Sequence, residues 1–170
     1  LQQLTAVLGC SLDELVGGLD PDAAFRRRCA SWQKTTRLAF WLALAVQLGL
    51  FVLGAVRGTM EWVLLAVLLF LCGGSLHPML AVMISSGDYT MLAGYDPDAA
   101  YDRKKLETLV RAMDLWVQLA NLGISLMAVP VGFAASGAGF VVLIISQVVG
   151  LLGAVGCVQY KYGRDLVTGY

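Results

Sequence analysis

Few side chains in this 170-residue chain have the type and spacing to do chemistry. The single histidine, His77, precedes Pro78 inside a long apolar stretch. An ionisable group in such a place is a functional candidate by default, because a charge in hydrocarbon is costly. No carboxylate is expected beside it within the apolar stretches. The reading is therefore a ring nitrogen bonded to a backbone carbonyl that Pro78, lacking an N–H, leaves free. A metal site would need further ligands, and none is offered. Asp20 with Asp22 and Asp96 with Asp98 are paired carboxylates, but each pair flanks a proline (Pro21, Pro97) and reads as a solvated helix start. Cys10, Cys29, Cys72 and Cys157 form no C-x-x-C pair and read as free thiols. There is no nucleophile with a base, no hydrolytic dyad and no phosphate loop. The expectation is a protein that is not an enzyme and takes no cofactor or metal. What remains is a set of uncharged polar residues in apolar surroundings: Gln47, Gln118, Asn121 and Gln147, with Ser146 beside the last. Buried amides in lipid face the bundle and bond across helices, each contributing about 0.6 to 2 kcal/mol. With His77 they make the candidate intramembrane polar network, whose functional version is a path for a small ligand or ion.

These residues lie in apolar segments too long for a soluble core. From Leu115 to Tyr160 there is no Asp, Glu, Lys, Arg or His. Over the whole chain 58% of residues are hydrophobic and 14% charged, with mean hydropathy +0.73. Average soluble domains carry about 25% charged residues. A spanning helix needs about 20 apolar residues. Four such spans are expected, at about 38–56, 62–84, 115–134 and 139–158, with Gly132–Gly139 turning the last hairpin. Trp41, Trp62, Trp116 and Tyr160 stand near span ends, where amphipathic rings meet headgroups. The fold class is all-α, an integral-membrane four-helix bundle.

The net charge is zero, but its distribution is informative. Of the twelve basic residues, all but Arg57 fall on one side if the chain crosses four times. The positive-inside rule makes that side the cytoplasm. Both termini, the loop 85–114 and the tail 161–170 are then cytoplasmic. Arg26, Arg27 and Arg28, with Arg103, Lys104 and Lys105, are expected at the inner leaflet, where each adds about 1 kcal/mol of attraction to anionic lipid. Nucleic-acid binding by these clusters is disfavoured by the interleaved Asp20, Asp22, Asp96, Asp98 and Asp102.

The segment 18–28, GLDPDAAFRRR, returns at 94–104 as GYDPDAAYDRK, with seven of eleven positions identical. Each copy places Asp at an N-cap and Pro at the first helical position. Each is followed by two spans. Two tandem units of amphipathic helix plus hairpin, or convergence on a good helix start, both account for it. Gly54 and Gly58 form a G-x-x-x-G, and Gly150, Gly153 and Gly156 mark span four. Such small residues permit close helix approach within the chain or between copies. Pro130 is expected to kink span three.

Residues 1–18 differ from the rest. Leu1, Leu4, Val7 and Leu8 recur at helical spacing, Gly9 interrupts, and Ser11-Leu12-Asp13-Glu14 reads as a capping box before Leu15, Val16 and Gly17-Gly18. This segment resembles the last two helices of a Cro/C1-type (XRE-type) helix-turn-helix domain. The resemblance implies a membrane-anchored, DNA-binding transcription regulator. Its major-groove helices would lie upstream of Leu1, so DNA is a partner only through that missing part. Residues 62–160 are similar to an uncharacterised bacterial membrane family with a Gly-Tyr-Asn-Thr-Met segment and a Tyr-Asp-x-Lys-Lys-Leu helix. Here Ala93-Gly94-Tyr95-Asp96 and Tyr101-Asp102-Arg103-Lys104-Lys105-Leu106 carry the likeness, with Gly87-Asp88-Tyr89-Thr90-Met91 as a displaced remnant. Asp96 departs from the usual Asn, and the spacer is shorter. The resemblances imply residence in the bacterial cytoplasmic membrane. Residues 1–18 would close a helix-turn-helix domain, 19–37 form a cytoplasmic linker helix, and 38–160 form the membrane domain. The competing expectation is a stand-alone small membrane protein of immunity or receptor type, with a peptide, protein or second copy as partner.

Overall fold

The computed structural model describes residues 21–92, 95, 101–133 and 137–163. The sequence of elements is α1 (Pro21–Arg57), α2 (Met60–Leu69), a π turn (Phe70–Gly74), α3 (Leu76–Ser86), α4 (Arg103–Phe133) and α5 (Gly137–Tyr162). The described residues contain no strand. Four helical stretches are long and apolar enough to cross a membrane: Ala23–Arg57, Met60–Ser86, Arg103–Pro130 and Gly139–Tyr162. The protein is an all-α, multi-pass membrane four-helix bundle.

Helix α1 has 37 residues. At 1.5 Å per residue it is about 55 Å long, against a hydrocarbon core of about 30 Å. The expected linker helix and first span are thus one rod. The rod stops where Gly58 takes φ 66°, and Thr59 N–H closes the turn on the Gly54 carbonyl at 3.0 Å. A Cβ on Gly54 would lie 2.7 Å from Trp62 Cβ, so its missing side chain brings α2 against α1. The G-x-x-x-G therefore serves this hairpin. At the other end of the set, Gly153 and Gly156 have nothing within 4 Å.

The second span is broken in its middle. Ser75 N–H bonds the Phe70 carbonyl at 3.0 Å, five residues back, and α3 restarts at Leu76. Pro78 therefore falls in the first turn of a helix, where its missing N–H is tolerated. The fourth span, α5, runs unbroken. The two hairpins are unlike, which argues against tandem duplication. The second Asp-Pro-Asp-Ala-Ala copy lies outside the described residues, as do residues 1–20, including the helix-turn-helix-like segment. Helix α4 takes its cap from Asp102, whose Oδ1 accepts from Lys104 N–H at 3.0 Å and Lys105 N–H at 3.3 Å. It then runs through Pro130 to Phe133.

Much of the expected loop 85–114 is therefore helix. Leu106, Leu109, Val110 and Met113 repeat at 3, 1 and 3 residues and pack with Leu80, Met83, Tyr89 and Val158 at one end of the bundle. The intervening turn is pinned by Asp88, which accepts from the Thr90 N–H at 3.0 Å and hydroxyl at 2.8 Å. Those bonds hold the Asp88 carboxyl below its ordinary range. Tyr89 is buried, and burial pushes its phenol up. Leu50, Leu65, Ala66, Leu69, Ala128 and Leu143 make a second apolar layer at the opposite end. Polar residues fill the space between the layers. A tag after Ser136 and a tag after Tyr170 are expected on opposite sides of the membrane; protease protection placing them on one side would contradict four crossings.

Candidate functional site

Helix α4 carries the site. Asp114, Gln118, Asn121 and Ser125 follow one another at intervals of 4, 3 and 4 residues, which puts them on one face. All four are buried. Because α4 is already helical at Arg103, Asp114 is carried about three turns into the bundle.

There it meets His77, whose Nδ1 lies 3.0 Å from both Oδ1 and Oδ2 of Asp114. This corrects the expectation of a carbonyl partner for His77 and of no carboxylate within reach. In the π turn just before His77, the Gly73 carbonyl accepts a side-chain bond instead, from Gln118 Nε2 at 3.1 Å. Phe40 of α1 packs on the imidazole, with centroids 4.6 Å apart. The pair opens onto a cavity of about 530 Å³ lined also by Trp32, Thr36, Arg37 and Arg111. Arg111 is held by Glu107, one turn away, at 2.8 Å. Trp32 is braced edge-on by Tyr162 of α5 at 6.1 Å. The cavity belongs to the end of the bundle that carries the basic clusters. Arg26, Arg27, Arg28, Arg103, Lys104 and Lys105 are all exposed there.

Deeper in, three helices are tied at one atom. Asn121 Oδ1 accepts from Gln47 Nε2 of α1 at 3.2 Å and from Gln147 Nε2 of α5 at 3.2 Å. Gln47 Nε2 also reaches Ser125 Oγ at 3.0 Å. The amides Gln47, Asn121 and Gln147 are thus brought together, with Gln118 one turn above them. His77 stands apart in its own pair. Ser146 points outward. Gln47 Oε1, Gln118 Oε1, Gln147 Oε1 and Asn121 Nδ2 have no protein partner. Unpaired amide groups in a dry interior are expensive, and water held there would relieve them.

Asp114 and Ser125 were not anticipated. The 4-3-4 spacing from Asp114 to Ser125 was the signal, masked because Asp114 borders the charged loop and a serine in lipid is unremarkable alone. Among the described residues no group of three or more His, Cys, Asp or Glu gathers as a metal site would require. Cys29 is buried, while Cys72 and Cys157 are exposed; all three are free thiols. Comparison with known protein families, curated proteins and solved structures gives no match.

Proposed function

We propose that this chain is the membrane-embedded anchoring and sensing domain of a bacterial helix-turn-helix transcription regulator, with the DNA-reading helices upstream of Leu1. The observation that supports this reading most is the continuity of α1. The helix starts at Pro21, three residues beyond the segment that resembles the end of such a domain. Without a break it lines the cavity through Trp32, Thr36 and Arg37, then places Gln47 in the amide knot. A shift at either place would move the whole rod, and with it whatever its N-terminal end carries. In this reading the basic end faces the cytoplasm, and its exposed Arg and Lys side chains contact anionic headgroups.

The parent gene decides the matter. About fifty further upstream codons with a helix-turn-helix pattern, and operator binding by the complete product, are the expected result. A start codon within a few residues of Leu1 would sink the reading. The immunity or receptor alternative draws support from the open side of α5, where Gly153 and Gly156 would admit a partner helix. It predicts that cysteines introduced at these two positions crosslink to a second membrane protein or a second copy.

A further inference from the structure

We propose that His77 and Asp114 form a proton-binding site reached only from the basic end of the bundle, with the cavity as its aqueous vestibule. The site stands whether or not the chain belongs to a regulator. Histidine is the side chain that ordinarily changes charge between pH 5 and 8. Here its Nδ1 faces both carboxylate oxygens at 3.0 Å, and no described group engages Nε2. One proton moves from hydronium in the vestibule to Nε2, leaving water behind and turning imidazole into imidazolium against the Asp114 carboxylate. No other bond changes.

Access is one-sided because the bundle is polar on one side of the pair and closed on the other. On the basic side, the pair's side chains are 18% and 8% exposed, enough for contact with water in the cavity. On the far side the polar face of α4 continues through Gln118, Asn121 and Ser125, then ends against Leu50, Leu65, Leu69, Ala128 and Leu143. Among the described residues the side chains buried in that layer are all aliphatic, and none of them can pass a proton.

The groups facing the pair are few. From α1 come Arg37 and the ring of Phe40, which offers its π system to a cation. From α4 comes Arg111, already engaged by Glu107. From α3 comes only Ser85, which is neutral. Helix α5 reaches the rim through Tyr162, with Lys161 beside it. A guest with a large negative charge is not favoured by this set, since the two guanidiniums are offset by Glu107 and Asp114. A proton needs no such excess.

The single histidine makes the test site-specific. The intact chain, labelled with nitrogen-15 histidine, is reconstituted in sealed lipid vesicles and followed by solid-state NMR. Between pH 8 and pH 5 on both sides, the imidazole is expected to change from its one-N–H to its two-N–H pattern. When only the outer pH is lowered, the fraction that changes should equal the fraction whose tag after Tyr170 is removed by external protease. Asp114→Asn is expected to move the pH at which the change occurs. An imidazole that stays constant from pH 8 to 5, or that follows the pH at the opposite end, overturns the proposal. So does an unmoved transition in Asp114→Asn. The wild-type measurement decides on its own if that variant does not fold.

Discussion

Replacing Gly73 by alanine is expected to destabilise the bundle by about 3 kcal/mol, the upper part of the range for overpacking a filled core. A Cβ at this position would lie 2.4 Å from Asn121 Cγ and Oδ1 and 2.9 Å from Asn121 Cβ. Those atoms cannot swing aside, because Asn121 Oδ1 holds Gln47 and Gln147. The π turn must therefore move away from α4, which also stretches the Gln118 bond to the Gly73 carbonyl. The damage spreads to three helices from one methyl group. Gly153→Ala is the control: nothing lies within 4 Å of its added Cβ, so only helix propensity changes, and it should be as stable as the parent or up to about 1 kcal/mol more stable. Equilibrium unfolding in mixed micelles measures both. Equal stabilities for the two variants would show that the close approach of the second span to α4 is unimportant.

The second large effect is expected at Asn121. Asn121→Ala removes the acceptor shared by Gln47 and Gln147 and leaves both donors facing a void. Interhelical bonds in membrane proteins average about 0.6 kcal/mol, with a maximum near 1.7, so two bonds and a cavity together amount to about 2 to 3 kcal/mol. The informative comparison is the triple variant Gln47→Leu, Asn121→Leu, Gln147→Leu. Removing all partners at once leaves no donor stranded, and such replacements are often near neutral. The triple variant should therefore be more stable than Asn121→Ala alone. If it is less stable, the amides contribute through packing that leucine does not reproduce, and the hydrogen-bond account is wrong.

The two variants also show which parts of the site were legible in one dimension. Gln47, Gln118, Asn121 and Gln147 stand out in the sequence because an amide among Leu, Val and Ile is conspicuous. Their inward orientation follows from the absence of water in lipid. His77 stands out for the same reason. Its partner does not. Asp114 is the last charge before the run from Leu115 to Tyr160, so composition assigns it to a loop. Only the early start of α4 at Arg103 carries it inside. The apolar repeat of Leu106, Leu109, Val110 and Met113 recorded that helix, but Arg103, Lys104 and Lys105 just before it and Arg111 within it read as a cytoplasmic surface. Gly73 was one glycine among nineteen, and nothing in its neighbours along the chain announces that a helix passes within a methyl group of it.

By itself, the sequence determined membrane residence, four helices and their common end for basic residues. These follow from local quantities: the length of an apolar run against bilayer thickness, and the sign of the charges between runs. Tertiary structure decided the pairing of His77 with Asp114, the meeting of three amides at one oxygen, and the division into a polar middle with an open and a closed end. Those depend on helix rotation and depth, which are set by packing between segments far apart in the chain. A π turn of five residues shifts every later side chain of the second span around the helix axis, and composition does not register that rotation.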